Sequence, residues 1–327
     1  MNKTTTTLAV ALAALLPAGA AAHHGVAGLG AAGLQGPGAP LESTTSATLP
    51  SGENLLYFKL DHASYERVDR AEPEGDFDQY WMLGLGRGFT PWFSGYLFVP
   101  YHVKVEDGGY DTREFADISL FGQLGFKYDE GFRLMPESQS LDDLEDWQFS
   151  VFAGLTLPTG DANLRVDDEA FDPGKASGFG RSSFMAGAAV TRMLGERLTA
   201  NLEASWIGFQ SYTYDDDVRR RFGTEKRLNG ALVYRAHSDS DRRLRVDLSL
   251  ETQYLDLGRD REDGIGEEAT GGRIIYALPS VRISRERLSV GLGVKVPVWT
   301  RLNEEDEQQG AEGKEDFRII LTASMLF

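Results

Sequence analysis

The C-terminal stretch Phe317-Arg-Ile-Ile-Leu-Thr-Ala-Ser-Met-Leu-Phe327 decides how the rest of the chain is interpreted. Every second residue counted back from the end is apolar, and the residues between them become more polar toward the start of the stretch. A period of two is typical of a β-strand with one apolar face. A strand of about ten residues that is apolar on one face and mixed on the other is the unit of a transmembrane β-barrel.

The composition fits one large β-domain and limits the alternatives. No run of apolar residues approaches the length of about 18 that a membrane-spanning helix needs, so the sequence predicts no helical span. The 327 residues include no cysteine, which excludes disulfides and thiolate metal sites. The formal net charge of -17 makes nucleic acid a poor partner.

The first residues have the pattern of an export signal. Met1-Asn-Lys3 supplies positive charge, Leu8 to Leu16 is an apolar core, and Ala20-Ala-Ala22 is a cleavage site of small residues. We predict a signal peptide at 1–22 and a mature chain in the bacterial outer membrane.

Cleavage after Ala22 would leave His23 and His24 at the mature terminus. A free α-amine beside an imidazole is a ligand set that suits copper. These two residues are therefore the metal candidates, and copper is the one cofactor that the sequence suggests. The alternative interpretation is that two polar residues merely follow a signal peptide.

The segment 23–52 is rich in Gly, Ala, Pro, Ser and Thr and has no periodic run. This composition predicts a non-strand segment. Two interpretations stay open: a flexible leader outside the barrel, or a plug folded into its lumen. The barrel itself is predicted at 53–327.

Twelve alternating segments follow, and they predict an all-β fold: a transmembrane antiparallel β-barrel of about 12 strands with an N-terminal plug-like segment. If the first strand starts in the periplasm, long loops lie outside and short turns inside. The exception is the long inner connection 129–146, in which 141–145 indicates a short helix. The predicted strands are 54–65, 79–89, 92–105, 115–128, 147–157, 182–193, 198–209, 227–236, 244–255, 273–284, 287–300 and 317–327.

Alternation alone also fits a soluble β-sandwich. Charged residues in mid-strand, such as Arg245, Asp247 and Glu251, argue against a sandwich core because they need water, which a lumen supplies. Aromatic residues also cluster near predicted strand ends, as in interface girdles; these are Tyr57, Trp81, Trp92, Trp147, Tyr234, Tyr254 and Trp299. The predicted lumen and solute-pathway residues are Lys59, Asp61, His102, Lys104, Asp117, Lys127, Arg245, Asp247, Glu251, Lys295 and Arg318.

Proline recurs late in strands that run toward the loops, in Leu97-Phe-Val-Pro100, Leu155-Thr-Leu-Pro158 and Val294-Lys-Val-Pro297. Because proline cannot donate a ladder hydrogen bond, each marks a bulge or a break in pairing. Pro100, Pro158 and Pro297 are thus candidates for strand breaks that bend or open the wall. Simple termination of the strands at the rim is the alternative.

These features together resemble a known outer-membrane family, labelled "MetA-pathway of phenol degradation" and related to the long-chain fatty-acid and aromatic-hydrocarbon transporters. The resemblance lies in the signal peptide, the barrel size, Leu157-Pro-Thr-Gly160 and the repeated strand-end prolines. It implies passive uptake of small, often apolar or aromatic molecules, an N-terminal plug and lateral exit through a strand break. The family fixes no substrate and no catalytic residues. The acidity of this chain and its His-His start depart from the family pattern.

The sequence therefore predicts a channel or transporter that takes up a small solute passively and is not an enzyme. His62-Ala-Ser64 is the nearest approach to a catalytic pair, and it does not match a barrel phospholipase motif. The alternatives are a non-conducting barrel with a surface-binding or structural role, and a copper-handling barrel. The predicted partners are the solute, outer-membrane lipid and lipopolysaccharide, and the barrel-assembly machinery, which would recognise the strand that ends at Phe327.

Overall fold

The computed structural model describes residues 39–66, 77–105, 111–136, 145–165, 173–304 and 314–327. Within these ranges no helix is long and apolar enough to cross a membrane. The predicted signal peptide, along with His23 and His24, lies outside the described residues.

In the described part of the chain, twelve long strands and the short strands β4 and β6 form the main sheet, and four further short strands form a second sheet. The twelve are β1 (Asn54–Tyr65), β2 (Phe77–Thr90), β3 (Phe93–Val105), β5 (Ile118–Tyr128), β7 (Trp147–Leu157), β8 (Phe184–Gly195), β9 (Leu198–Gly208), β12 (Glu225–Asp239), β13 (Leu244–Leu257), β16 (Gly272–Arg285), β17 (Leu288–Leu302) and β18 (Glu315–Leu326). The short strands are β4 (Thr112–Phe115), β6 (Phe132–Leu134), β10 (Tyr212–Thr213), β11 (Arg219–Arg221), β14 (Arg261–Glu262) and β15 (Ile265–Gly266).

The sheet closes into a barrel because its last strand pairs with its first. β18 runs antiparallel to β1 from Leu55↔Leu326 to Ser64↔Phe317. Beyond the strand end, Phe327 N donates to Asn54 O at 2.9 Å and Asn54 N donates to Phe327 O at 2.8 Å. Each of the other long strands pairs with its neighbour in the chain, so the predicted antiparallel barrel of twelve strands is confirmed.

The two faces of each strand meet different surroundings. On β2, Leu83 is 50% exposed on the outer wall, whereas its neighbour Met82 is 1% exposed in the interior. Apolar outward side chains suit contact with lipid, and this alternation is what a membrane barrel requires. Most of the predicted girdle residues lie on the outside, but Tyr57 does not: it is buried in the interior, on the same face of β1 as Lys59.

The connections differ at the two ends of the barrel. At the end where β1 starts and β18 stops, the "turn end", β2–β3, β8–β9, β12–β13 and β16–β17 are joined by tight turns. At the opposite "loop end", the connections are long, as predicted. The long connection 129–146 at the turn end contains β6, which pairs with β5. The predicted helix at 141–145 lies almost wholly outside the described residues.

The end of β12 was predicted wrongly. The sequence placed His237 in a turn, but β12 continues to Asp239 and pairs His237 with Val246. A bulge between Arg235 and His237 breaks the alternation. Because a bulge adds one unpaired residue, the period of two ends there in the sequence although the strand continues.

The loop end carries a second, smaller sheet formed by β10, β11, β14 and β15. It joins the connections that follow β9 and β13. Beside it, Phe179 packs on Phe209 and Phe222 with ring centroids 4.9 and 5.2 Å apart. The described parts of the connections that follow β7 and β9 are therefore packed together through aromatic contacts.

Charged groups on this small sheet are also paired. Burial alone would lower the pKa of Arg220, but hydrogen bonds to Asp216 and Glu262 outweigh burial and raise it. Burial raises the pKa of the neighbouring Tyr214 phenol. The guanidinium of Arg220 lies 5.7 Å from the ring of Tyr214, so the cation stabilises the packed loops.

Candidate solute pathway

The described part of the N-terminal segment, 39–50, lies inside the barrel. It forms no strand, and along its course it contacts wall strands in turn. Arg282 on β16 donates to Pro40 O at 2.9 Å, and Asn201 on β9 donates to Thr44 O at 3.0 Å. Further along, Leu49 N donates to Ser94 Oγ on β3 at 2.7 Å. The segment thus crosses the interior from one side of the wall to the other before β1 begins.

Two buried carboxylates on the wall hold the backbone of this segment. Glu251 on β13 accepts hydrogen bonds from Leu41 N at 2.6 Å and from Ser43 N at 3.0 Å. Glu203 on β9 accepts one from Thr44 N at 2.6 Å. Consecutive backbone N–H groups therefore find acceptors in the wall, which satisfies donors that are buried from water. Glu251 was predicted as a lumen residue, whereas Glu203 was not.

A small pocket in the wall receives the side chain of Leu41. Leu41 packs with Leu278 and Ile320, all of them buried. Gly291 on β17 faces the same space, and a Cβ added there would collide with the Leu41 side chain. The glycine therefore leaves the volume that Leu41 fills, which fixes the segment against the β17 wall.

A cluster of ion pairs lies around the next residue, Glu42. Its carboxylate contacts Lys59 Nζ on β1 and Lys295 Nζ on β17, the second at 3.3 Å. Lys59 Nζ is also 3.4 Å from Asp61 Oδ2, and the other carboxylate oxygen, Asp61 Oδ1, lies 3.5 Å from Arg318 Nη1.

Arg318 links this cluster toward the loop end. Its Nε donates to Glu315 Oε1 at 2.8 Å, and Tyr276 OH donates to Glu315 Oε2 at 3.1 Å. The sequence predicted Lys59, Asp61, Lys295 and Arg318 separately. The structure brings these four side chains into one network with Tyr276 and Glu315. We call these six residues the charged wall: Lys59, Asp61, Tyr276, Lys295, Glu315 and Arg318.

Other predicted lumen residues face the interior but lie away from the charged wall. His102 on β3 is buried, and its Nε2 is 3.9 Å from Asp78 Oδ2. Arg245 Nε donates to Asp247 Oδ1 at 2.8 Å on β13. Lys127 is only partly buried and its Nζ lies 3.8 Å from Asp146 Oδ2 near the turn end.

Two further predicted residues bind loop backbone. Lys104 Nζ donates to Gly174 O. Asp117 accepts hydrogen bonds from Gly160 N at 2.9 Å and from Phe179 N at 3.1 Å. Both side chains therefore hold the connection between β7 and β8 in place. This gives a physical role to Gly160, the last residue of the Leu157-Pro-Thr-Gly160 motif.

An aromatic surface lines the interior next to the charged wall, and the sequence analysis did not single it out. Ring centroids are 6.4 Å apart for Tyr57 and Phe98, 5.7 Å for Tyr96 and Phe121, and 5.4 Å for Phe121 and Phe152. Tyr96 and Phe98 stack at 6.2 Å. We call these five residues the aromatic wall. The sequence contained one signal for this surface: Tyr96 and Phe98 share a strand face with Pro100 and His102.

Pro100 lies where β3 changes partner. β3 pairs with β5 as far as Phe98↔Ser119 and with β4 from Tyr101↔Phe115. The predicted single strand 115–128 is thus interrupted at 116–117. Pro100 O accepts a hydrogen bond from Ala116 N at 2.9 Å, so the break is bridged by backbone.

The other two predicted strand-break residues differ from each other. Pro158 follows the last residue of β7, so it stands at a strand end. Pro297 lies inside β17, whose pairing with β18 ends among the described residues at Lys295↔Arg318. Beyond that pair β17 continues along β16, with a bulge at Val298. Within the described part of the chain, the pairing of β17 with β18 therefore ends next to the charged wall.

The remaining sequence hypotheses concern metal and catalysis. Among the described residues no group of three His, Asp or Glu side chains is placed to hold a metal ion. His62 and Ser64 lie on the outward face of β1, where His62 packs against Phe77 at 5.4 Å.

Comparison with known proteins gives structural matches only. No family model matches the sequence, and no curated protein matches it. The chain is similar to an outer-membrane channel from Pseudomonas putida F1, with 16% identity and a TM-score of 0.64, covering 86% of this chain and 98% of that one. It also matches the NanC porin, with 7% identity and a TM-score of 0.46 over 83% of this chain and 98% of that one. A further match is a mutant of the TodX monoaromatic hydrocarbon channel, with 12% identity and a TM-score of 0.40 over 86% of this chain and 92% of that one.

The first of these matches carries the conclusion about the fold. It extends over nearly the whole of both chains, and the closed antiparallel ring of strands is present in this chain. The chain therefore has the fold of an outer-membrane β-barrel.

Proposed function

We propose that this protein is an outer-membrane channel for passive uptake of a small solute with an apolar or aromatic body, and that residues 39–50 form a removable plug. The observation that carries the proposal is the way this segment is held. Its backbone crosses the interior without joining any strand and is bound by wall side chains such as Glu251 and Glu203. Water can replace such hydrogen bonds one by one, whereas a strand ladder breaks cooperatively.

The interior offers surfaces for both parts of an amphiphilic solute. The aromatic wall supplies apolar area, and the charged wall supplies fixed charges beside it. Tyr57 and Lys59 lie two residues apart on the inward face of β1, so the two walls meet there. Selectivity then follows from the width of the path and from the field inside it. A non-conducting structural barrel would not need a segment held in this exchangeable way.

The fold supports a proposal for the orientation and the partners. We propose that the turn end faces the periplasm and that the loop end meets lipopolysaccharide, as the short and long connections of such barrels do. The strand β18 with its terminal Phe327 is the segment proposed to contact the barrel-assembly machinery. Export by a signal peptide at 1–22 and a copper site at His23 and His24 remain proposals from the sequence.

The interruption beside Pro297 is the proposed lateral exit for an apolar solute. Pro297 is partly buried and lies two residues beyond Lys295, where the pairing of β17 with β18 ends among the described residues. The break at Pro100 is less suitable because a backbone hydrogen bond to Ala116 bridges it. Pro158 stands outside its strand and so interrupts no pairing.

A reversible tether tests the plug directly. The chain has no native cysteine, so Leu41→Cys with Gly291→Cys would add one pair, and its positions are in contact across the segment and the wall. In planar bilayers we expect the oxidised pair to conduct less than its reduced form, because the disulfide holds the plug in the lumen. The two single-cysteine variants are the controls and should not respond to reductant.

A second variant defines the opposite limit. Deleting 23–48 removes the plug and leaves Leu49 in contact with β3, and we expect larger current and faster solute entry into liposomes. If neither the deleted form nor the reduced form passes ions or solute, the channel proposal is wrong. A non-conducting barrel with a structural or surface-binding role would then be the better conclusion.

A further inference from the structure

We propose that Lys59 and Lys295 form a binding site for the carboxylate of the transported solute, and that Glu42 occupies this site when the plug is in place. The proposal rests on the proposed channel function and names the class of solute: a small monocarboxylate with an aromatic or aliphatic body. It begins from the position of Glu42, the one acidic side chain that the described segment 39–50 carries into the interior.

Glu42 binds as a ligand carboxylate would. One of its oxygens contacts Lys59 Nζ and the other lies 3.3 Å from Lys295 Nζ, so the carboxylate bridges two strands that are separated by β18. Both lysines are buried, with side chains 5% exposed. Buried ammonium groups need an anionic partner, because leaving a charge unpaired in the interior is costly.

The charge balance within the charged wall favours an anion at the position of the Glu42 carboxylate. The charged wall contributes three cations, Lys59, Lys295 and Arg318, and two carboxylates, Asp61 and Glu315. Its net charge is therefore +1 (three minus two) without the segment, and Glu42 brings it to zero. When the plug leaves, the two lysines lose a shared partner that the wall itself does not replace. An incoming carboxylate restores it.

The surroundings of the site suit an apolar body attached to that carboxylate. Lys295 Nζ lies 4.5 Å from the ring centroid of Tyr276, so one face of the site is aromatic. On the other side, Tyr57 connects Lys59 to the aromatic wall through Phe98. The Tyr57 hydroxyl is buried and has no hydrogen-bond partner among the described residues, which leaves one more donor for a ligand.

Equilibrium binding tests the site without relying on flux. The binding of benzoate to the Glu42→Ala variant in detergent micelles is measured by isothermal titration calorimetry. We expect benzoate to bind this variant at least about tenfold tighter than it binds the unmodified chain, because a charge-assisted pair contributes more than the factor of ten that about 1.4 kcal/mol represents. Benzamide, which is neutral and has nearly the same shape, should show no such gain.

Two further variants complete the test. Adding Lys59→Met and Lys295→Met to Glu42→Ala should abolish the gain in benzoate affinity. Glu53→Ala is the matched control, because Glu53 pairs with Arg287 at 3.3 Å on the exposed surface, and it should not change benzoate binding. If Glu42→Ala does not fold, Glu42→Gln takes its place under the same criteria.

The outcomes separate this proposal from the channel proposal. Equal binding of benzoate and benzamide, or a gain that survives loss of both lysines, overturns the carboxylate site even if the barrel conducts. Tight, lysine-dependent benzoate binding in a barrel that never conducts supports the site and overturns the channel.

Discussion

The charged wall and the aromatic wall occupy the same barrel interior, yet they are built on different physical terms. Lys295, Arg318 and Lys59 on β17, β18 and β1 belong to a network of ions, whereas Tyr96, Phe121 and Phe152 on β3, β5 and β7 pack ring against ring. Each strand alternates in the same way, so alternation decides only which side chains face inward. The difference between the walls shows that a barrel interior can hold a polar and an apolar surface side by side.

This difference has an energetic consequence. A buried ion depends on specific partners, and the loss of one leaves the other unpaired. Stacked rings lose area and dispersion when one is removed, but they leave no charge behind. We therefore expect single substitutions to lower the free energy of unfolding more in the charged wall than in the aromatic wall. Three substitutions, taken in order of expected effect, test this.

The largest effect is expected from Arg318→Met. Arg318 is 2% exposed and pairs with both Asp61 and Glu315, so its loss leaves two buried carboxylates short of a partner. Breaking a buried ion pair predicts a loss of about 4 kcal/mol in the free energy of unfolding, measured by urea titration in lipid vesicles. The control is Arg287→Met, whose side chain is 62% exposed and whose loss should cost less than about 1 kcal/mol. Similar losses for the two variants would contradict the ranking.

A smaller effect is expected from Phe121→Ala in the aromatic wall. Phe121 lies between Tyr96 and Phe152 and is buried, so truncation removes two ring contacts and leaves a cavity. We expect a loss of about 3 kcal/mol in the same titration. The neighbouring Leu120 faces outward, and Leu120→Ala should cost clearly less because lipid fills the space. A larger loss for Leu120→Ala would mean that the barrel interior is not the packed side.

The smallest effect is expected where the walls meet. Tyr57→Phe removes a buried hydroxyl that has no partner among the described residues, and this change should leave stability unchanged or raise it by up to about 1 kcal/mol. Tyr276→Phe is the comparison, because its hydroxyl donates to Glu315 at 3.1 Å. Loss of this hydrogen bond should lower the free energy of unfolding by about 1.5 kcal/mol. If Tyr57→Phe lowers the free energy of unfolding as much as Tyr276→Phe does, the prediction is wrong and the Tyr57 hydroxyl makes a stabilising hydrogen bond.

The acidity of the whole chain does not prevent an anion from reaching the charged wall. The net charge of -17 includes acidic runs in the loops, such as 215–217 and 260–263 at the loop end. At physiological ionic strength surface charges are screened within about 8 Å. Buried charges are screened much less, so the local excess of lysine and arginine governs the interior once Glu42 is withdrawn.

Several features of the fold were predictable because they are properties of single strands. The alternation in the last eleven residues predicted a membrane-facing strand, and β18 closes the barrel with it. The same pattern placed Lys59, Asp61, Lys295 and Arg318 on inward faces. It failed at His237 and at 116–117, where a bulge or a break interrupts the period of two. It also assigned Tyr57 to a girdle, because residue type near a strand end does not report which face the residue occupies.

By itself, the sequence predicted about twelve strands, their antiparallel order and many of the charged residues that face inward, since these follow from local alternation and from the lengths of the connections. Only the tertiary structure decided which inward residues meet. Lys59 and Lys295 are 236 residues apart by number (295 minus 59), and their common partner Glu42 belongs to a segment with no periodic pattern at all. The physical reason is that distances across the lumen depend on closure of the ring and on the register between strands. Neither property can be predicted from a single stretch of the chain.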